Sequence, residues 1–149
     1  MSCQPILKAS FVVASAFFLL SAPVLGTVKS SVAGENLKAF PSKICFGRVS
    51  VGDESSARRI RLRNVSAETA IVYAVSLSPQ FALGALDCFD GGLAPGQSCS
   101  VQVRGAPTAR GTHVGTLRVQ YCFPSDPVCP GAVFGEERFV DIPLRGRGK

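Results

Sequence analysis

Between Arg59 and Arg63 the chain reads arginine, isoleucine, arginine, leucine, arginine. Successive side chains on an extended strand point to opposite faces, so this stretch puts Ile60 and Leu62 on one side and three arginines on the other. That is the pattern of a half-buried strand, and it recurs. Ile71, Tyr73, Val75 and Leu77 share a face in a segment closed by Pro79. Phe81-Ala82-Leu83 is a shorter apolar piece. Cys99, Val101 and Val103 alternate with polar neighbours, as do Gly115, Leu117, Val119 and Tyr121, and finally Val140, Ile142 and Leu144. Fifteen glycines and ten prolines punctuate the chain, with turn signals at intervals of roughly ten residues. No segment outside the N-terminal stretch carries a helical repeat. The reading is all-β: an antiparallel sandwich of about seven strands rather than parallel βα units. Its expected core is Ile60, Leu62, Tyr73, Val75, Val101, Val103, Leu117, Val119, Ile142 and Leu144.

The first residues follow a different rule. Lys8 is followed by an uncharged run from Ala9 to Thr27 that includes Phe11-Val12-Val13 and Phe17-Phe18-Leu19-Leu20. One positive charge ahead of an apolar run is the layout of a secretory signal peptide. A run of this length is also enough to span a bilayer. Pro23 and Gly26 interrupt it near its end and small residues follow, so cleavage after Gly26 is the expectation, with Ser31 and Ala33 marking a second candidate. Residues 1–26 are thus read as an export signal, 27–43 as a flexible lead-in and 44–148 as the folded domain. No cysteine follows either cut, so no lipid-attachment site is expected, and contact with a membrane is expected only through the signal segment. The protein is expected to be secreted or periplasmic.

Five short motifs, in order, resemble one family. Phe46-Gly47-Arg48-Val49-Ser50-Val51-Gly52 is similar to the opening of the immunoglobulin-like domains of hydin, abnormal-spindle proteins and bacterial choice-of-anchor proteins. Arg61-Leu62-Arg63-Asn64 resembles that family's strand end, Leu93-Ala94-Pro95-Gly96-Gln97-Ser98-Cys99 its central loop, Gly115-Thr116-Leu117 a later strand, and Pro143-Leu144-Arg145-Gly146-Arg147-Gly148 its close. The resemblance implies an immunoglobulin-like sandwich related to the major sperm protein fold, used for adhesion, scaffolding or assembly, with no catalytic residues to carry over. Gly47, Gly52 and Gly96 fall where turns call for positive φ or close backbone approach. Two features depart from the family: Cys45, and the long connection from Cys122 to Gly131, where a short turn is usual.

Of the six cysteines, Cys3 leaves with the export signal. In an oxidising compartment the rest are expected to form bridges rather than bind metal. Cys88 with Cys99 closes a loop worth about 3 kcal/mol in the chain-entropy model, and Cys122 with Cys129 a smaller one worth about 2.5 kcal/mol. Cys45 is left over, either buried as a small apolar residue or held for an intermolecular bridge, with burial favoured. The 122–129 loop is the expected interaction surface: Pro124, Pro127 and Pro130 restrict its shapes, so docking costs it less entropy, and Phe123 and Val128 are apolar groups a plain turn does not need. The alternative is that the bridge merely protects a long loop.

The chain carries a formal net charge of +6 at neutral pH, and losing Lys8 leaves it basic. That favours acidic partners and anionic surfaces. A nucleic-acid site is not expected, because no series of aromatics interleaves with the basic residues for base stacking. The arginine row is read as a solvated strand face. His113, the single histidine, is placed in a turn with no nucleophile motif beside it. Asp53-Glu54 and Glu136-Glu137 are sequence neighbours and would point to opposite faces of a strand. Asp87 and Asp90 are read as turn formers. No catalytic residue, cofactor or metal is expected. The expected function is an exported interaction or scaffolding module that binds a protein partner in the cell envelope or outside the cell. The alternative is a binder of carbohydrate or cell-surface polymer that uses Phe89 and Phe123.

Overall fold

The computed structural model of the protein describes residues 36–126, 129 and 138–149. The expected export signal, residues 27–35 of the lead-in, Glu136-Glu137, and Pro127, Val128 and Pro130 of the expected interaction loop lie outside them. Eight strands make up the described fold: β1 (Leu37–Phe40), β2 (Ile44–Val49), β3 (Arg58–Asn64), β4 (Ile71–Leu77), β5 (Phe81–Leu86), β6 (Ser98–Gly105), β7 (Gly111–Cys122) and β8 (Arg138–Gly148). They form two four-stranded sheets, ordered β1-β3-β6-β5 and β2-β8-β7-β4. Among the described residues there is no helix, and so none long and apolar enough to cross a membrane. The expected all-β sandwich is present. It has one parallel pairing, β2 against β8, where Ile44 lies opposite Leu144.

The alternation in β3 sets the first sheet. Ile60 and Leu62 point inward and are fully buried, while Arg59, Arg61 and Arg63 stand exposed on the outer face. Val101 and Val103 of β6 lie on the same inner face. Across the core they meet Leu117 and Val119 of β7 and Ile142 and Leu144 of β8, all buried. Burying a side chain of this size stabilises by roughly 1.5–3 kcal/mol each, so these two facing sets hold the sheets together.

Three expectations need correction. Residues 37–40 are not lead-in: Leu37 is buried, and β1 pairs antiparallel with β3, Leu37 opposite Asn64. Leu37 and Ala39 are the only inward positions of this strand, too few to show a period. The second correction is Tyr73, which is 37% exposed and not in the core. Val72 pairs with Tyr121 and Ala74 with Gln120, so Tyr73 is the extra residue of a β-bulge. The inward series therefore runs through Val72, then shifts to Val75 and Leu77, which pack against the core. In β2 the register shifts between Cys45 and Arg48, and Ile44 before the shift, Phe46 within it and Val49 after it are all buried. Gly47, at φ +71°, supplies the left-handed backbone there. The third correction is His113, which lies on β7 rather than in a turn.

Candidate functional site

The connection after β7 is built from its base upward. Cys88–Cys99 and Cys122–Cys129 are both at disulfide distance, with Cα separations of 5.0 and 5.6 Å, as the sequence pairing requires. Cys45 is half-buried and disulfide-bonded, with its partner outside the described residues. Of the two states expected of Cys45, full burial is the one the structure does not show. Phe123 is not on display either: it is 3% exposed, edge-on to the Tyr121 ring at 5.8 Å between centroids. The Arg138 guanidinium lies 5.2 Å over the Phe123 ring. It also donates to the Asp126 carboxylate at 3.1 and 3.2 Å, and the Phe123 backbone N–H donates to the same carboxylate at 2.8 Å. The Arg138 hydrogen bonds hold the Asp126 carboxyl below its ordinary range. Phe123 and Asp126 thus pin the root of the loop onto β8, and Pro124 is left exposed. Phe123 does follow the strand, as the alternating series ending at Tyr121 implies, but its expected exposure is corrected. The chain leaves β7 at Cys122, which is itself buried, and turns Phe123 inward.

A second surface is the outer face of the β1-β3-β6-β5 sheet. Register places Lys38 beside Arg63 and Phe40 beside Arg61 on one flank of β3. On the other flank Ser98, Ser100 and Gln102 lie beside Arg63, Arg61 and Arg59. Arg104 at the far end is paired with Glu54 at 2.9 Å. Asp87 accepts hydrogen bonds from the Ser100 backbone N–H and, at 2.9 Å, from the Ser100 hydroxyl. These bonds, above all the backbone one, lower its carboxyl pKa, and Arg59 adds to the effect. Phe40, Arg61, Arg63, Gly96 and Ser98 line an open groove of about 590 Å³. The arginine row is a solvated strand face as read, but Phe40 beside it was hidden in the supposed lead-in.

Chemistry beyond binding finds little to work with among the described residues. Asp87, Cys88 and Cys99 converge, but both sulfurs are committed to a disulfide and offer no thiolate to a metal. His113 donates from Nε2 to the Ala109 carbonyl at 2.7 Å, which ties the β6–β7 connection to β7. Glu54 is held by Arg104, and Asp53 stands exposed beside it.

No protein-family model matches the sequence, and no curated protein matches it. Solved structures do share its architecture. The VesB protease of Vibrio cholerae superposes with a TM-score of 0.57 at 14% identity, covering 76% of this chain and 32% of that one. An ASH or PapD-like domain of human CEP192 superposes with a TM-score of 0.56 at 13% identity, covering 90% of this chain and 98% of the domain. A protein of unknown function from Porphyromonas gingivalis W83 gives 0.53 at 15% identity, covering 74% and 46%. The chain thus spans about a third of the Vibrio protein and under half of the Porphyromonas one. At these identities the likeness is one of fold: an immunoglobulin-like sandwich of the PapD-like kind. The protease activity in the first name belongs to that protein.

Proposed function

We propose that this chain is an exported, non-enzymatic interaction module, of the kind its sequence resemblance to hydin and abnormal-spindle domains suggests, and that it docks a protein partner in the cell envelope or outside the cell. The observation that carries the reading is the outer face of the β1-β3-β6-β5 sheet. There Lys38, Arg61 and Arg63 stand exposed with no ion pair among the described residues, beside an exposed Phe40. An aromatic and arginines on one open surface are the residue types that anchor protein interfaces. Two disulfides support an oxidising destination. The carbohydrate alternative keeps Phe89, which is 51% exposed, and loses Phe123, which is buried.

The test is capture by the tagged full chain from the native envelope and secreted fractions, run beside a glycan array. Saturable capture of a defined protein is the expected result. Glycan binding without any captured protein would replace this reading with the carbohydrate one. Intact mass of the recovered chain checks export: a mass that still includes residues 1–26 rules out cleavage.

A further inference from the structure

The centre of the β1-β3-β6-β5 face holds an arrangement that burdens the fold. Lys38 and Arg63 are register partners, and Arg61 follows on the same face of β3. Like charges set opposite one another on a sheet are destabilising. Toward the far end the charges are met: Arg104 by Glu54, and Arg59 by the nearby Asp87. Lys38, Arg61 and Arg63 have no such neighbour among the described residues. Arg61 and Arg63 line the groove that Phe40, Gly96 and Ser98 complete, and Lys38 stands beside Arg63 in register.

We propose that this groove binds an extended acidic segment of a partner protein, with carboxylates at alternate positions meeting Arg61 and Arg63 and an apolar side chain lying against Phe40. The inference rests on the interaction-module reading and adds the partner's chemistry. Charge complementarity selects the acid, since a guanidinium fork matches a carboxylate with two parallel hydrogen bonds. Spacing selects an extended chain. Arg61 and Arg63 are two residues apart on a strand, roughly 6.7 Å, which is also the repeat of same-side side chains on an extended peptide. Two successive carboxylates therefore fall in step with two guanidiniums. Phe40 is the single aromatic in the groove, whereas a nucleic-acid strand calls for a series of stacking rings.

The full chain is titrated with a fluorescent peptide that alternates glutamate and threonine, and with a second peptide of the same composition whose glutamates are blocked together. The alternating peptide binds more tightly, and its affinity falls as salt is raised, because exposed charges are screened beyond about 8 Å at physiological ionic strength. Arg61→Gln and Arg63→Gln each weaken it roughly tenfold or more, the loss of a charge-assisted hydrogen bond. Arg61→Lys falls between, and Arg110→Gln, on an exposed loop, leaves binding unchanged. Urea midpoints of the two glutamine variants hold or rise, since each removes like-charge repulsion; this separates lost binding from lost folding. Equal affinity for the two peptides overturns the spacing argument, and undiminished binding by both glutamine variants overturns the site. Binding of oligothymidylate or dextran sulfate without the alternating peptide overturns the proposed occupant. Absent peptide binding with intact capture of an envelope protein refutes this inference alone; loss of both refutes the interaction-module reading as well.

Discussion

Asn64 is a fully buried polar side chain, and every atom that needs a partner has one. Its amide nitrogen donates to the carbonyls of Glu68 at 2.6 Å and Leu93 at 2.7 Å, while its oxygen accepts from the Ser66 backbone N–H and hydroxyl. One side chain thus fastens the β3–β4 turn to the loop ahead of β6. Replacing it with alanine removes these bonds together and empties a buried site, while the Leu93 and Glu68 carbonyls keep the Ala70 N–H and the Ser66 hydroxyl as donors, so Asn64→Ala is expected to cost about 2–3 kcal/mol, measured as a shift of the urea midpoint. A loss below about 0.5 kcal/mol would mean that water takes over these bonds. The period through Ile60 and Leu62 points Asn64 inward, and the motif it closes marks it as special. What could not be read from sequence was the partner: Leu93 lies 29 residues away, and only the fold brings it close. Gly115 is legible in the same partial way. A Cβ there would come within 2.7 Å of the Phe81 ring and of Ser78 Cβ, so the glycine marks close approach rather than a turn.

Among the elements, β4 shows where periodicity fails. Ile71, Val72, Tyr73 and Val75 all favour strands, so the residue types fit either parity, and nothing in them announces the extra residue at Tyr73. The bulge in β2 does have a marker, Gly47. Because Val72 is buried before the β4 bulge and Val75 only partly buried after it, the two valines answer differently. Val72→Ala is expected to cost about 2 kcal/mol, from lost burial and the cavity left behind. Val75→Ala should cost clearly less. Reversed values would restore the unbulged register. The connection after β7 was legible as a disulfide-closed loop, because two cysteines so near in sequence have few other choices. Its inward root was not, since burial of Phe123 depends on Arg138 of the following strand. For the arginine face the reverse holds: its exposure followed from alternation within β3 alone, while its companions Lys38 and Phe40 required knowing that β1 exists and how it registers.

On the scale of the whole molecule, what matters is which interactions join the two sheets. Cys88–Cys99 links the residues after β5 to β6, its neighbour in the same sheet, and Cys122–Cys129 links the end of β7 to its own loop. Neither of these bridges crosses the sandwich. The sheets are held face to face by packed side chains, with Leu117, Val119, Ile142 and Leu144 from one and Ile60, Leu62, Val101 and Val103 from the other. A chain this long buries enough apolar surface to fold on its core, unlike small secreted domains that depend on their bridges. The Cys88→Ala, Cys99→Ala double variant is therefore expected to keep its β-sheet circular-dichroism spectrum and a cooperative urea transition, with stability lower by about 3 kcal/mol from the freed loop alone. Both sulfurs are buried, so lost packing adds to that figure. Leu117→Ala removes no bridge but opens a cavity between the sheets, and should cost about 2–5 kcal/mol. If the double-cysteine variant instead loses its transition altogether while Leu117→Ala keeps a near-native midpoint, the bridges rather than the shared core hold the sandwich together, and the protein belongs with the disulfide-dependent scaffolds.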